Sequence, residues 1–144
     1  MDINKQVQIL QMVYAGILAE SVLQFSKENV LNSVTQRKHQ EQIASGQLRA
    51  TQFGITKPEE VFLKLSEIFN CAQWKIANMP EGGFTAQANN CMLCSIARKI
   101  GAPSPCHIYC LDPMEGLVKA VKNNAIYVVK ETLWDGNKCV VNVW

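Results

Sequence analysis

Apolar positions recur near a period of 3.6 through the first part of the chain. Val7, Leu10, Tyr14, Ile17, Leu18 and Phe25 fall on one side, while Lys5, Gln8, Glu20 and Gln24 fall on the other. Residues 4 to 44 therefore read as helical. A break is expected near Ser26 to Asn29, after which a second helix carries Val30, Leu31, Val34 and Ile43 around a strongly polar run from Gln36 to Gln42. Ser45-Gly46 reads as its end, because glycine is the usual residue just past a helix. Gln47 to Ile55 then reads as a loop. Thr56 with Glu59 three residues on has the spacing of a capping box, and Pro58 suits a first turn. That helix buries Val61, Phe62, Leu65, Ile68 and Phe69 and ends near Asn70.

From Cys71 the period changes to two. Ala72, Trp74 and Ile76 share one face and Gln73, Lys75 and Ala77 the other, which predicts a half-buried strand. Met79 to Gly83 reads as a turn and Phe84 to Ala88 as the returning strand. Asn89 or Asn90 caps a helix over Cys91 to Ile100, stopped by Gly101, and Cys106 to Cys110 reads as short and extended. Asp112-Pro113 opens a further helix through Met114, Leu117, Val118 and Val121. Ala125 to Trp134, the tight-turn pair Asp135-Gly136 and Lys138 to Trp144 form a closing hairpin. The fold class is thus α+β: N-terminal helices followed by a ββααββ unit whose antiparallel sheet is covered by helices, in one domain with an N-terminal helical part (1–55) and an α+β ligand-binding part (56–144).

Composition narrows the partners. The 144 residues are 48% hydrophobic and 18% charged, with a formal net charge of +2. Without a basic run or aromatic-basic interleaving, nucleic acid is not an expected partner. Gln11, Glu20, Ser21 and Gln24 interrupt the apolar stretch from Ile9 to Phe25, so neither an export signal nor a membrane span is expected, and the chain reads as cytoplasmic. In a reducing compartment its six cysteines are free thiols, metal ligands or catalytic groups.

Four of those cysteines, Cys91, Cys94, Cys106 and Cys110, lie between Asn89 and Glu115, together with His107. Three readings stay open. A Cys-x2-Cys pair followed after eleven residues by Cys-x3-Cys supplies four thiolates, a set that zinc or an iron-sulfur cluster accepts. Alternatively, Cys91 at the first helical position meets free backbone N–H groups that favour its thiolate, with His107 as base. In the third reading the cysteines line a core or a pocket, since Cys91 and Cys94 share a helix face. The other histidine, His39, sits among Lys38, Gln40 and Glu41 and reads as solvated.

Cys91, Gly101, Cys110-Leu111-Asp112, Thr132 and Gly136-Asn137-Lys138-Cys139 together resemble the L-2-amino-thiazoline-4-carboxylic acid hydrolase family. The same arrangement is similar to the hydrocarbon-binding (4-vinyl reductase) domain and, more remotely, to the transport-protein-particle subunit fold. The resemblance covers roughly residues 60 to 144. It implies two antiparallel hairpins under a helical layer, often a dimer, with Cys91, Cys110, Asp112 and Cys139 facing or supporting a small-molecule pocket. Where such families place an acidic residue and Phe after the last cysteine, this chain has Val140 and Val141. Its penultimate strand offers Glu131 and Trp134 but no cysteine ligand for a zinc site.

The expected function is binding of a small, partly apolar ligand between the Cys91 helix, the Cys106 to Asp112 segment and the C-terminal hairpin. Cys91, Cys94, Tyr109, Cys110, Trp134 and Cys139 are the expected contacts. The alternative is a hydrolase that opens a small heterocyclic ring, with Asp112 or His107 as acid or base and Cys91 or Cys110 as polariser or nucleophile. A second alternative is a metal-binding protein using Cys91, Cys94, Cys106 and Cys110. No cofactor is expected, zinc being the one that the thiol spacing admits. A homodimer through the N-terminal helices is expected, and Cys91 should be the most reactive thiol.

Overall fold

A computed structural model describes all 144 residues. Three helices lead: α1 (Ile3–Lys27), α2 (Leu31–Phe53) and α3 (Pro58–Phe69). Then come β1 (Lys75–Asn78), β2 (Phe84–Ala88), α4 (Met92–Lys99), a π-helical turn over His107–Leu111 that runs straight into α5 (Asp112–Val121), β3 (Tyr127–Glu131) and β4 (Cys139–Val143). The two hairpins join into one antiparallel sheet of order β1-β2-β4-β3. β2 and β4 pair in register from Phe84 opposite Val143 to Ala88 opposite Cys139. Their alternation is strict: Phe84, Ala86, Ala88, Cys139, Val141 and Val143 are buried, and the residues between them less so. The expected α+β order therefore holds.

Two apolar clusters organise the interior. The larger sets the sheet face against α3 and α5 through Phe62, Trp74, Met114, Leu117 and Val118. The smaller joins α1 to α4 through Ala15, Ala19, Val22, Leu93, Ala97 and Ile108. Small residues on α1 let α4 approach closely, and the opposite side of α1 stays open: Ile3, Leu10 and Ile17 are 73%, 67% and 58% exposed. By length and composition alone α1 is apolar enough to cross a membrane, with an 18-residue window at mean hydropathy 1.3 of which 17% is buried. The polar residues that interrupt it do not bring it below that mark.

Four local expectations are corrected. Gly46 does not end α2; the helix continues to Phe53 and stops at Gly54, whose φ of 67° is the left-handed conformation that glycine adopts freely. Gly46 instead lies where α2 crosses α5, opposite Gly116, and a methyl on either would meet the other helix's backbone. The capping box at Thr56 does not form: Lys57 is the cap residue, and Thr56 Oγ1 donates to Glu60 Oε1 at 3.0 Å. β1 begins only at Lys75, and β3 and β4 are shorter than their alternating stretches. Finally, the segment after Cys106 is helical, not extended. Pro113 has no N–H and its ring crowds the preceding turn, so a helix running through it needs a wider turn there. The Asp112 N–H accordingly donates to the His107 carbonyl, five residues back.

Candidate functional site

The site is built from the start of α4. Cys91, not Asn90, is the cap residue, so Cys91 lies just outside the first helical position expected for it. Its backbone is extended, and its Sγ accepts the Cys94 N–H at 3.4 Å. Asp, Asn or Ser usually fills this position because oxygen accepts well. A neutral thiol accepts poorly and a thiolate well, so the cap favours ionisation. The neighbouring Cys94 thiol, and then the Cys94 and Leu93 N–H groups, favour the thiolate against burial, and the Cys91 pKa falls to about 6.

Behind Cys91 the thiols continue in series. Cys94 is buried, and its Sγ lies 3.6 Å from that of buried Cys106. The hydrogen bond to Cys106, the neighbouring Cys91 sulfur and burial keep Cys94 protonated. The Cys94 proton also draws Cys106 downward. That single proton serves one neighbour at a time, and Cys91 has the additional backbone donors, so Cys91 is the better-supported thiolate. The remaining thiols are held neutral: burial and then the Cys91 charge raise Cys71 to about 11, burial raises Cys139 to about 11, and burial raises Cys110 well above the ordinary thiol value.

Cys91 opens into a cavity of about 370 Å³. Its apolar walls include Leu18 of α1, Phe53 of α2, Leu65 of α3 and Met114 of α5, and Cys71, Tyr109 and Cys110 also reach it. The only charged residues that line it are Lys38 and Arg49, and no carboxylate does. Lys38 Nζ lies 5.8 Å from the centre of the Tyr109 ring, whose hydroxyl is 2.6 Å from Ser21 Oγ. Gln42 lines the cavity as well; it is 7% exposed, and its Oε1 has no hydrogen-bond partner. Spacings of four and seven put Lys38, Gln42 and Arg49 on one stripe of α2. That stripe was readable in the sequence, where it passed for part of a polar helix surface.

Three of the expected contacts, Cys91, Tyr109 and Cys110, thus share the cavity, while Cys94, Trp134 and Cys139 do not line it. The cavity takes no residue from the C-terminal hairpin, where one wall was expected, and opens instead among α1, α2, α3 and α5. Trp134 is held against α4: its ring lies 4.2 Å from the Arg98 guanidinium, which also donates to the Trp134 carbonyl. Cys139 Sγ accepts the Leu133 N–H at 3.2 Å inside the hairpin.

His107 and Asp112 also lie off the cavity lining. His107 Nδ1 is 3.1 Å from Asp112 Oδ1, with the imidazole 61% exposed and the carboxylate 11% exposed. The hydrogen bond to Asp112 raises the His107 pKa against the opposing effect of burial. The same α5 turn engages the other histidine: His39 Nε2 lies 2.8 Å from Glu115 Oε1, and Lys119 Nζ 2.7 Å from Glu115 Oε2. His39 is therefore paired, not simply solvated. His39, Asp112 and Glu115 bring three ligand-type atoms within 4.8 Å of one another, whereas the four cysteines of the central stretch do not form such a group. Compared with family models, with curated proteins and with solved structures, the chain matches none.

Proposed function

We propose that the protein binds a small, partly apolar molecule carrying an acidic group, as a binding domain resembling the hydrocarbon-binding type. One observation carries this reading: a cavity of about 370 Å³ with mainly apolar walls has Lys38 and Arg49 as its only charged lining. A pocket of this size suits a compact ligand, and a few placed polar groups suffice to orient it. A carboxylate would pair with Lys38 or with Arg49, which stand about 16 Å apart along α2, and a donor on the ligand would meet the free Gln42 Oε1. The apolar body would then lie against Phe53, Leu65 and Met114.

The ring-opening hydrolase draws less support. A general base must come within hydrogen-bond reach of the reacting group, and His107 and Asp112 do not line the cavity that Cys91 and Cys110 share. The resemblance to the L-2-amino-thiazoline-4-carboxylic acid hydrolase family adds only the expectation of an acidic small molecule. A cytoplasmic, reducing location suits six unpaired thiols, and pairing of two copies through the open face of α1 would cover Ile3, Leu10 and Ile17.

Thermal shift with matched probes tests the binding reading. 3-Phenylpropionate should raise the melting temperature in a saturable way, and 3-phenylpropanol, which lacks the charge, should do so less. Lys38→Gln together with Arg49→Gln should abolish the difference. Equal shifts for acid and alcohol, or none for either, would count against it.

A further inference from the structure

We propose that Cys91, Cys94 and Cys106 form a thiol–disulfide exchange centre that reduces a small acidic disulfide held in the cavity. The proposal rests on the binding reading for its substrate and on the thiol geometry for its chemistry. Of the three cysteines only Cys91 lines the cavity. It is also the one whose sulfur receives a backbone N–H, from Cys94 at 3.4 Å. Cys94, three residues on in the first turn of α4, is buried. Cys106 is buried as well, with 3.6 Å between its sulfur and that of Cys94. Side-chain rotation has to bring that separation to the ~2.05 Å of a disulfide. A half-buried attacking sulfur at the cavity, a buried resolving sulfur and a third sulfur in contact with the second make a path along which a disulfide can move inward.

The steps balance without a further oxidant. The Cys91 thiolate attacks one sulfur of the bound disulfide, forming a mixed disulfide and expelling the first half as a thiolate. The Cys94 sulfur then attacks Cys91 Sγ, the second half leaves, and the Cys94 proton goes to a departing thiolate. Two electrons have passed from the protein to the substrate, whose halves are released, one as a thiolate and one as a thiol. The Cys106 sulfur can next attack Cys94 Sγ, which frees Cys91 and leaves the disulfide between the two buried sulfurs; the Cys106 proton passes to Cys91 or to solvent. An external dithiol reverses the protein oxidation and closes the cycle. Attack by thiolate and departure of the better leaving thiol govern each step. Cys110 and Cys71 also line the cavity, but burial holds both as neutral thiols, so they do not compete. Lys38 and Arg49 supply the selectivity for an acidic substrate.

The test uses the reduced full chain with two probes of similar size, 3,3′-dithiodipropionate and cystamine, one anionic and one cationic. The expected product has lost two hydrogens, carries no probe, and maps to a Cys94–Cys106 disulfide, with both halves of the probe released. The anionic probe should react roughly tenfold faster or more, and less so after Lys38→Gln with Arg49→Gln. Cys106→Ser should stop at a Cys91–Cys94 disulfide, and Cys94→Ser should trap the probe on Cys91. In the wild-type chain, a mixed disulfide on Cys91 that never resolves would overturn the exchange centre, as would first attack at another cysteine. Equal rates for the two probes with the internal disulfide still forming would overturn the acidic substrate, and with it the binding reading, while supporting the exchange chemistry.

Discussion

Replacing Gly116 with alanine tests how the cavity is held. The new methyl would lie 2.7 Å from the Gln42 carbonyl oxygen and 3.0 Å from its carbon. Both atoms are helix backbone, which cannot swing aside as a side chain can. Reaching an ordinary carbon–oxygen approach of ~3.3 Å means parting α2 and α5 by roughly 0.6 Å. Two effects compete. Alanine gains about 1 kcal/mol over glycine in a helix interior, while forcing extra volume into a packed contact costs about 1–3 kcal/mol. The second wins because the obstruction is rigid, so Gly116→Ala should destabilise by about 1–2 kcal/mol. Gly46→Ala should cost as much or more, since its methyl meets the Gly116 carbonyl oxygen. Gly16→Ala in α1 is the control. Nothing lies within 4 Å of its methyl, so the propensity gain stands alone, and it should stabilise by about 0.5–1 kcal/mol. Urea denaturation at constant slope reads the differences, and each kcal/mol corresponds to about 2–4 °C in melting temperature. The crossing also sets the gap between Gln42 on α2 and Met114 and Leu117 on α5, so both destabilised variants should give a smaller shift with 3-phenylpropionate. If Gly46→Ala and Gly116→Ala were neutral, or stabilised the chain as Gly16→Ala does, the close crossing would be wrong.

Alkylation with iodoacetamide should label Cys91 first, with a rate that rises through a pH near 6 because its thiolate is favoured; first label on Cys110 or Cys139 would refute this. Raising the His107 pKa by its bond to Asp112 means that its contribution to stability is full below the unfolded value of about 6.5 and is lost as pH rises through the higher folded value. Replacing His107 by glutamine should therefore lower the urea midpoint more at pH 5.5 than at pH 8.5, and an equal loss at both would show that the ion pair is not responsible. Light scattering should give twice the 16.1 kDa chain mass, and Leu10→Glu together with Ile17→Glu should return it to one chain; a wild-type chain that is monomeric at micromolar concentration, or that partitions onto vesicles through α1, would rule out the pairing.

The elements that a sequence specifies locally were legible, and those fixed by another part of the chain were not. The strands at Phe84 to Ala88 and Cys139 to Val143 were read from the turns that precede them, Met79 to Gly83 and Asp135-Gly136, and such turn chemistry is a property of the local chain alone. Gly46 misled because glycine has two uses that look alike in sequence: it permits a left-handed helix end, and it permits close approach of another backbone. Only the position of α5 tells which applies. The π-helical turn was hidden for a similar reason. Asp112-Pro113 has the composition of a helix start, and a helix passes through it only because the turn before it widens. At the candidate site, Cys91, Tyr109 and Cys110 were found through their types. Lys38, Gln42 and Arg49 were missed because three polar residues on a polar helix show no chemistry until α1, α3 and α5 close apolar walls around them.

Cys91 stands where the two apolar clusters meet, since it packs against both. Its position links ionisation to the joint between α1 with α4 and the sheet layer. A folded-state pKa below that of the free thiol means that the stabilisation is full above the unfolded thiol value and is lost as pH falls through about 6. The His107–Asp112 pair, across the π-helical turn, runs in the opposite sense, strongest in acid and lost as pH rises. Between them lies Cys106, which touches Cys94 through its sulfur and precedes His107 directly. Oxidation of Cys94 with Cys106 would remove the Cys94 thiol proton, the largest of the influences that lower the Cys91 pKa, and leave the backbone donors in place. The Cys91 thiolate would then be less strongly favoured, so the redox state of the buried pair and the charge presented to a ligand in the cavity are tied through the Cys94 proton.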